Sequence, residues 1–424
     1  MTGQIHITRR DPVAAGARGL LYLGLFFSAL LVIRVGGLTA GDVFIIGALA
    51  LAAVTRVLNP AGRAVNATRL AVTVVLFTMF TAAAALATIN AIVPDESLTV
   101  AVRIALVAFG LPWLAATLLP EPRLLARAAG WFVAGAAFSA SGTLLQYTLG
   151  GTIIPGAEVT NAGRFPGWTG HVSDLGGITA VGIAIGLGFL LKPYTVRGRT
   201  WGLLAVGVAA IGLILSGSVS GMLAAVIAAF VYLIRGALRP GAFIVIGVAA
   251  TVVGSIALSV QAAASALSPI DRLMQVLGLS QGGLYSTSEI RADTYAIAWQ
   301  EFIANPIVGH GLDPASTIVD GVFPAHNLLL GAAYQGGILL TIAIAALALR
   351  PLAGGWVRAD RSVLTTQLLA GLGAALVFAM TAPSLYNRYF WIPVALVAAA
   401  RVMAERRTEA STLDLTAARR LSRA

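Results

Sequence analysis

Long runs of apolar residues, separated by short polar stretches, occupy almost the whole of the 424-residue chain. Each run is about 20 residues long, which is the length that an α-helix needs to cross the apolar core of a membrane. The pattern therefore predicts an all-α, polytopic integral membrane protein of about 12 transmembrane helices. The predicted spans lie near 18–35, 41–57, 70–90, 100–119, 127–149, 173–192, 200–216, 218–235, 241–263, 327–349, 364–381 and 388–404.

Two polar stretches are much longer than the other connections between spans. They cover about 150–172 and about 264–326, and the alternation of spans places both on the same side of the membrane. Long loops on a compact scaffold tend to carry function. We find no internal repeat and no linker, so residues 1–424 are interpreted as a single membrane domain. The basic tail, 405–424, is expected to lie along anionic lipid headgroups.

The second long loop contains the pattern of an amphipathic helix, STSEIRADTYAIAWQEFIANP. Ser286 and Glu289 form a capping-box pattern at its start, and Asn305-Pro306 ends it. The aromatic residues recur at helical spacing and are expected to pack this helix down. Arg291 shares their face, so its guanidinium is predicted to point inward, where it needs an anion. The aromatic residues are Tyr295, Trp299 and Phe302.

Composition agrees with a membrane protein and removes several classes of site. Hydrophobic residues make up 58% of the chain and charged residues only 11%, whereas a soluble domain carries about 25% charged residues. The absence of cysteine excludes disulfides, thiolate metal sites and a cysteine nucleophile.

The distribution of charge predicts the orientation. Of the 28 basic residues, 22 fall in alternate loops, which the positive-inside rule places in the cytoplasm. We therefore expect both termini in the cytoplasm and both long loops outside it. The net charge of +11 is mostly a property of the cytoplasmic face, and we expect no nucleic acid partner.

The basic residues predicted on the outer face are all arginines. A guanidinium offers a rigid fork for phosphate oxygens, although arginines at span ends also reach along the membrane interface without any ligand. That structural interpretation suits Arg34 and Arg103 best. Arg164 and Arg291 lie inside the long loops and are the better candidates for a specific role. The remaining two are Arg272 and Arg388.

Histidines stand where both long loops return to the membrane. Asn327 is suited to cap the span that follows it, which would place His326 at a helix N-terminus, where the dipole disfavours imidazolium. A neutral imidazole near arginines is suited to act as a general base, and a structural hydrogen bond is the alternative. His171 and Asp174 end the first long loop; His171 is a candidate ligand contact, and Asp174 is suited to a helix N-terminus. Gly309-x-Gly311 is interpreted as a turn.

Three segments in order carry a resemblance to a known family. They are GRFPGW (163–168), Arg291-x7-Trp299-x5-NPIVGHG (ending at Gly311), and HNLLLGAAYQGG (326–337). Together with the span count and the large outer loop, they resemble the O-antigen ligase and O-antigen polymerase (Wzy-type) superfamily of bacterial membrane glycosyltransferases. The resemblance covers about residues 130–400.

This resemblance implies transfer of a glycan from a polyprenyl-pyrophosphate carrier to an acceptor hydroxyl on a glycan or glycolipid, such as lipopolysaccharide. The reaction would occur on the extracytoplasmic face, with inversion and without a metal or other cofactor. His326 would be the catalytic base, and Arg164 and Arg291 would bind the pyrophosphate. Further substrate contacts are expected from His171, Asn327, Arg272 and Arg388.

The chain departs from the family pattern at two positions. In SGSVSG (216–221) Val219 stands where the family often carries an arginine, and Gln335 stands where glutamate is common. Arg272 or Arg388 could replace the missing cation.

Ligase and polymerase share these motifs, so both remain open. A polyprenyl-glycan transporter or flippase would need charges within the spans to form a polar path. A polymerase of the shape and division type is less favoured because its motifs are absent. A non-enzymatic scaffold is less favoured because it would give the charged outer loops no role.

Overall fold

The computed structural model describes residues 12–58, 67–160, 163–191, 196–241, 287–319, 323–383 and 385–421. Within these ranges the chain is predominantly helical, and the strands form two short hairpins. The helices are α1 (Pro12–Phe27), α2 (Ala40–Leu58), α3 (Ala67–Asn90), α4 (Pro94–Ala105), α5 (Leu111–Leu118), α6 (Pro122–Leu149), α7 (Val172–Leu191), α8 (Val196–Leu215), α9 (Val219–Ile234), α10 (Thr287–Ala304), α11 (Leu328–Leu349), α12 (Trp356–Ala359), α13 (Val363–Ala379) and α14 (Arg388–Leu421). The hairpins pair β1 (Arg34–Val35) with β2 (Leu38–Thr39) and β3 (Ile318–Val319) with β4 (Phe323–Pro324).

The predicted class of fold is confirmed: this is a helical, polytopic integral membrane protein. Seven helical segments of the described chain are long and apolar enough to cross a membrane, and α1, α9 and α13 are shorter apolar helices. A helix lies over each predicted span except 241–263, which is outside the described residues. The count of twelve spans therefore stays a prediction.

Helix α7 lies at the centre of the bundle, where it contacts α6, α8, α9 and α13. Its glycines allow this close approach. A Cβ at Gly176 would lie 2.2 Å from Ser218 Oγ, and one at Gly182 would lie 2.6 Å from the Cβ of Ala136. In lipid, where helix association depends on van der Waals contact, small residues at such crossings allow tight packing.

The polar connections collect at two opposite ends of the bundle. At one end Arg350 donates to Thr73 Oγ1 (2.8 Å), and Arg69 pairs with Glu405. At the other end the segment after α3 meets the loop that precedes α11: Asn90 Nδ2 donates to the carbonyl of Gly309 (3.2 Å). This division follows the alternation of loops that the charge bias predicts. Which end faces the cytoplasm stays a prediction.

The first span differs from its prediction of 18–35. Helix α1 ends at Phe27, and Arg34 to Thr39 form the β1–β2 hairpin instead. Its two-residue turn is Gly36-Gly37, and Gly36 has a φ of +61°. Glycine adopts that conformation without steric cost, which makes a Gly-Gly pair between β-branched and apolar residues a strong hairpin signal.

The fourth span is a helix with a wider turn inside it. A π-helical segment, Leu106–Gly110, joins α4 to α5, and the N–H of Leu111 bonds to the carbonyl of Leu106. Pro112 follows at once. Because proline has no N–H and its ring clashes with the carbonyl four residues earlier, a local widening relieves the conflict.

The tail continues the last helix. Helix α14 runs from Arg388 to Leu421, so residues 405–421 of the predicted tail are helical.

The outer end of α14 is fixed by a buried ion pair with the start of α2. Arg388 Nε donates to Asp42 Oδ1 at 2.7 Å, and Arg388 Nη2 donates to Asp42 Oδ2. Both residues are buried, Arg388 at 9% and Asp42 at 2% exposure. Asp42 also accepts from the backbone N–H (3.2 Å) and hydroxyl (3.1 Å) of Thr39, so the pair ties α14 to the base of the hairpin.

Breaking this ion pair should destabilise the fold. Asp42→Asn and Arg388→Met each leave one buried polar partner uncompensated, and loss of one partner of a buried pair costs about 3–5 kcal/mol. Each single variant should unfold at a lower temperature than wild type in detergent. Asp42→Leu/Arg388→Met removes both charges and should recover much of the loss. Single variants with the wild-type midpoint would contradict the role assigned to this pair.

Candidate active site

Helix α10, the loop that follows it and the β3–β4 hairpin form one lobe, called the outer lobe because it lies on the side predicted to be extracytoplasmic. The helix begins at Thr287 and ends at Ala304, directly before Asn305-Pro306, as predicted, whereas Ser286 lies outside the described residues. Ala298 packs in a small core with Val319, Ala325 and Tyr334. Trp299 departs from its predicted packing role, because its side chain is 53% exposed and contacts Phe302 at the surface. Its position lies one residue beyond the buried Ala298 on the helix.

Arg291 lies on the inner side of α10, as its spacing predicts. The residue is half-buried, and its Nε is buried without a hydrogen-bond partner in the structure. One turn later, the hydroxyl of Tyr295 donates to the carbonyl of His326 at 2.5 Å. Helix α10 therefore holds both the arginine and the backbone of the histidine.

His326 is half-buried between the β3–β4 hairpin and α11. Its Nδ1 lies 2.7 Å from the carbonyl oxygen of Pro324. Because a carbonyl can only accept, Nδ1 is assigned the proton, and in the neutral ring the lone pair is then on Nε2.

The surroundings keep the imidazole of His326 neutral. Its pKa is lowered mainly by burial, then by the cation of Arg291 and to a smaller degree by His171, while the hydrogen bond to Pro324 opposes these effects. As the pH falls, the ring of His326 therefore remains unprotonated at pH values where an ordinary histidine is already protonated. This is the charge state that a general base requires.

Asn327 caps α11, as predicted. Its Oδ1 accepts from the backbone N–H groups of Leu329 and Leu330, both at 3.0 Å, and its Nδ2 donates to the carbonyl of Met380 at 3.3 Å. The side chain thus joins the start of α11 to the residue that follows α13. It fixes the backbone directly after His326.

His171 precedes the first turn of α7 and is exposed. Its Nδ1 accepts from the N–H of Ser173 at 3.3 Å, so the ring caps this helix. Its effect on the pKa of His326 is the smallest of those given above. Asp174 follows in the same turn and accepts from Asn387 Nδ2 at 3.5 Å, which brings the start of α14 to this place.

Arg164 is positioned by the turn between α8 and α9. Its Nε donates to the carbonyl of Ser216 at 2.7 Å, and a Cβ at Gly217, which has a φ of +60°, would lie 3.2 Å from that nitrogen. The loop itself is fixed by Gln146 of α6, whose Oε1 accepts from the N–H of Gly167 at 2.9 Å. Arg164 therefore lies beside the turn that precedes Val219.

Of the other two arginines predicted as substrate contacts, the structure describes one, Arg388. Arg388 is buried in the ion pair with Asp42, so the structure gives it a partner within the fold and it cannot stand in for an arginine at 219 without leaving Asp42 unpaired. Arg272 lies outside the described residues. Within the described ranges, no three histidine or carboxylate side chains form a group able to hold a metal ion.

A break in α11 is the feature that the hydrophobic pattern did not predict. Gly336 and Gly337 have non-helical backbone angles, with φ of −137° and +68°. The segment 306–311 crosses this break and bonds to it: the N–H of Ile338 donates to Pro306 (2.8 Å), and the N–H of Gly311 donates to Gln335 (3.0 Å). The glycine pair was present in the sequence as a signal of such a break.

Glycine is required where the two backbones cross. A Cβ at Gly309, which has a φ of +72°, would lie 2.4 Å from the carbonyl oxygen of Gln335, and one at Gly337 would lie 2.4 Å from that of Ile307. The segment Gly309-x-Gly311, which was predicted to be a turn, therefore packs directly against the backbone of α11. His310 between them stacks on Tyr334 with ring centroids 4.5 Å apart.

One family model matches part of the chain. Residues 203–345 match the family model described as O-antigen ligase, and this range contains α9, α10, Arg291, His326 and most of α8. No curated protein matches the chain. The resemblance to the O-antigen ligase and polymerase superfamily, stated from three short motifs, is therefore confirmed.

Proposed function

We propose that this membrane enzyme of the ligase and polymerase type is an O-antigen ligase-like glycosyltransferase. It moves a glycan from a polyprenyl-pyrophosphate carrier to an acceptor hydroxyl on the extracytoplasmic face of the inner membrane. The observation that carries the proposal is the arrangement of a neutral His326, with its proton on Nδ1, in the field of Arg291. A base and a cation held together are what this transfer needs.

The reaction forms one C–O bond and breaks another. The acceptor oxygen attacks the anomeric carbon of the donor sugar and gives its proton to Nε2 of His326. The bond from the anomeric carbon to the pyrophosphate breaks, and the leaving polyprenyl pyrophosphate takes the electron pair. Attack from the opposite face inverts the anomeric centre. The carbonyl of Pro324 holds Nδ1–H and stabilises the imidazolium that forms.

Arginine supplies the electrostatic stabilisation in this mechanism. The leaving group gains negative charge in the transition state, and guanidinium groups placed to meet it lower the barrier. Arg291 is half-buried with an unused Nε, so it would bind the pyrophosphate in a partly dry site. Arg164, which is bonded to the 216–218 turn, would supply a second cation beside Val219, where the family often has one.

A polymerase of the same superfamily would use the same base and the same arginines. The two activities differ in the acceptor, which is another glycan chain for the polymerase. In a strain that lacks this protein, mass spectrometry of the lipid-linked and surface glycan pools separates them. Long glycan retained on the carrier supports the ligase, and single repeat units support the polymerase. Normal pools in both places would refute a glycosyltransferase.

His326→Ala should lower the transfer rate about 10²-fold or more, because a positioned general base contributes about 10²–10⁴-fold. The measurement is transfer from labelled lipid-linked donor in reconstituted membranes, with donor binding and folding checked in parallel. The matched control is His310→Gln. The ring of His310 packs on Tyr334 and pairs with Glu301, so transfer should largely persist in that variant. Wild-type turnover by His326→Ala would refute its role as base.

Substitutions of Arg291 separate its geometry from its charge. Arg291→Lys keeps the charge but loses the bidentate fork, so the rate should fall about tenfold or more with little change in the pH profile. Arg291→Gln removes the charge that lowers the pKa of His326, so that pKa should rise. The acid limb of kcat/KM should then move to higher pH.

The matched control for both is Arg358→Lys, at an exposed position of α12. It should leave the rate and the pH profile unchanged. An unshifted acid limb in Arg291→Gln would mean that His326 is not the titrating base, and full activity of Arg291→Lys would exclude a bidentate contact.

A further inference from the structure

Arg103 is an arginine within a predicted membrane-crossing segment. It belongs to α4, in the apolar segment Pro94–Leu118, and the π-helical turn begins three residues later. Its Nη2 donates to the carbonyl of Gly37 at 2.7 Å, and its Nε is buried without a hydrogen-bond partner in the structure. A buried guanidinium nitrogen without a partner costs free energy unless another group bonds to it.

The contact with Gly37 places Arg103 against the hairpin that carries Arg34. Arg34 opens β1, three residues before Gly37, and pairs with Thr39 across the ladder. Its Nε donates to the carbonyl of Leu31 at 3.3 Å, and its side chain is exposed. The ion pairs of the described chain do not include Arg34 or Arg103.

The base of the same hairpin is also linked, through Asp42 and Arg388, to the segment that contains Tyr386. Thr39 is bonded to Asp42, which pairs with Arg388, and Tyr386 stands two residues before that arginine. Tyr386 is 47% exposed. Burial raises the pKa of its hydroxyl, and the charges of Arg103 and Arg34 oppose that rise. Because Asp42 neutralises Arg388, the two other arginines are the cations available to an incoming group.

This cluster borders the candidate active site and is separate from the residues assigned to the pyrophosphate. Asn387, which directly follows Tyr386, donates to Asp174 Oδ1 at 3.5 Å, and Asp174 lies in the first turn of α7, with His171 directly before that helix. The cluster lies on the β1–β2 hairpin, α4 and the turn before α14, all outside the residues that match the family model.

We propose that Arg34, Arg103 and Tyr386 form a second anion subsite, which binds a phosphate or carboxylate group of the acceptor while the acceptor hydroxyl lies at His326. The inference rests on the proposed transfer reaction. In that reaction the donor pyrophosphate occupies Arg164 and Arg291, so an anion at a second cluster of arginines belongs to the other substrate. Guanidinium groups and a phenol hydroxyl are donors that bind such oxygens with charge-assisted hydrogen bonds.

The test measures acceptor and donor separately. Wild type, Arg34→Gln, Arg103→Gln and Tyr386→Phe are reconstituted in nanodiscs with labelled lipid-linked donor and the glycolipid fraction extracted from the native envelope. Each arginine variant should raise the KM for the acceptor fraction about tenfold, because one charge-assisted hydrogen bond is lost, with a smaller rise for Tyr386→Phe. The KM for donor should stay within about twofold. Arg361→Gln, an exposed position on the α12–α13 connection, is the matched control.

Binding of the labelled acceptor fraction is also measured in the inactive His326→Ala background. If Arg103→Gln weakens binding in this background, the subsite is supported. If, in addition, neither the wild type nor any variant shows transfer, the proposed function is wrong while the anion subsite still stands. Active transfer with an unchanged KM for acceptor in the Arg34 and Arg103 variants overturns the subsite.

The lipid of the nanodisc distinguishes the source of the anion. In pure phosphatidylcholine, the effect of Arg34→Gln and Arg103→Gln on acceptor KM should persist, because the anion comes from the acceptor. If the effect appears only when phosphatidylglycerol is present, the cluster holds bulk anionic phospholipid and the proposal is wrong.

Discussion

The outer lobe depends on the backbone hydrogen bonds between the break in α11 and the segment 306–311. In a membrane interior, a helix cannot open unless other protein groups satisfy the N–H and C=O groups it releases. Here Gln335 and Ile338 bond to Gly311 and Pro306. The break, the end of α10 and the loop to the β3–β4 hairpin are thus one unit. A change at Gly309 or Gly337 would separate the two backbones and displace everything attached to them.

Charged and polar groups in the same region set the protonation state of His326. Burial and Arg291 lower the pKa of His326, and the Pro324 carbonyl fixes the proton on Nδ1. The neighbouring acids are directed elsewhere: Asp42 pairs with Arg388, and Asp174 contacts Asn387. The cation of Arg291 thus favours a neutral ring on His326 and an anionic ligand beside it.

The sequence predicts much of this arrangement, and its failures have physical causes. Hydrophobic runs placed the helices, and Asn327 capped α11 as expected, because length and capping are local properties. The β1–β2 hairpin and the break in α11 were missed, since an average over about 20 apolar residues does not register a Gly-Gly pair. The ion pair of Arg388 was missed for another reason: Asp42 lies 346 residues away in the chain, and no local pattern joins them.

The hydrogen bond from Tyr295 to the carbonyl of His326 has a mechanical consequence. Arg291 belongs to α10, and the backbone of His326 is bonded to the same helix although His326 also leads directly into α11. A small shift of α10 would therefore move the cation of Arg291 and the backbone of His326 in the same direction. The contact limits how far the two groups can separate.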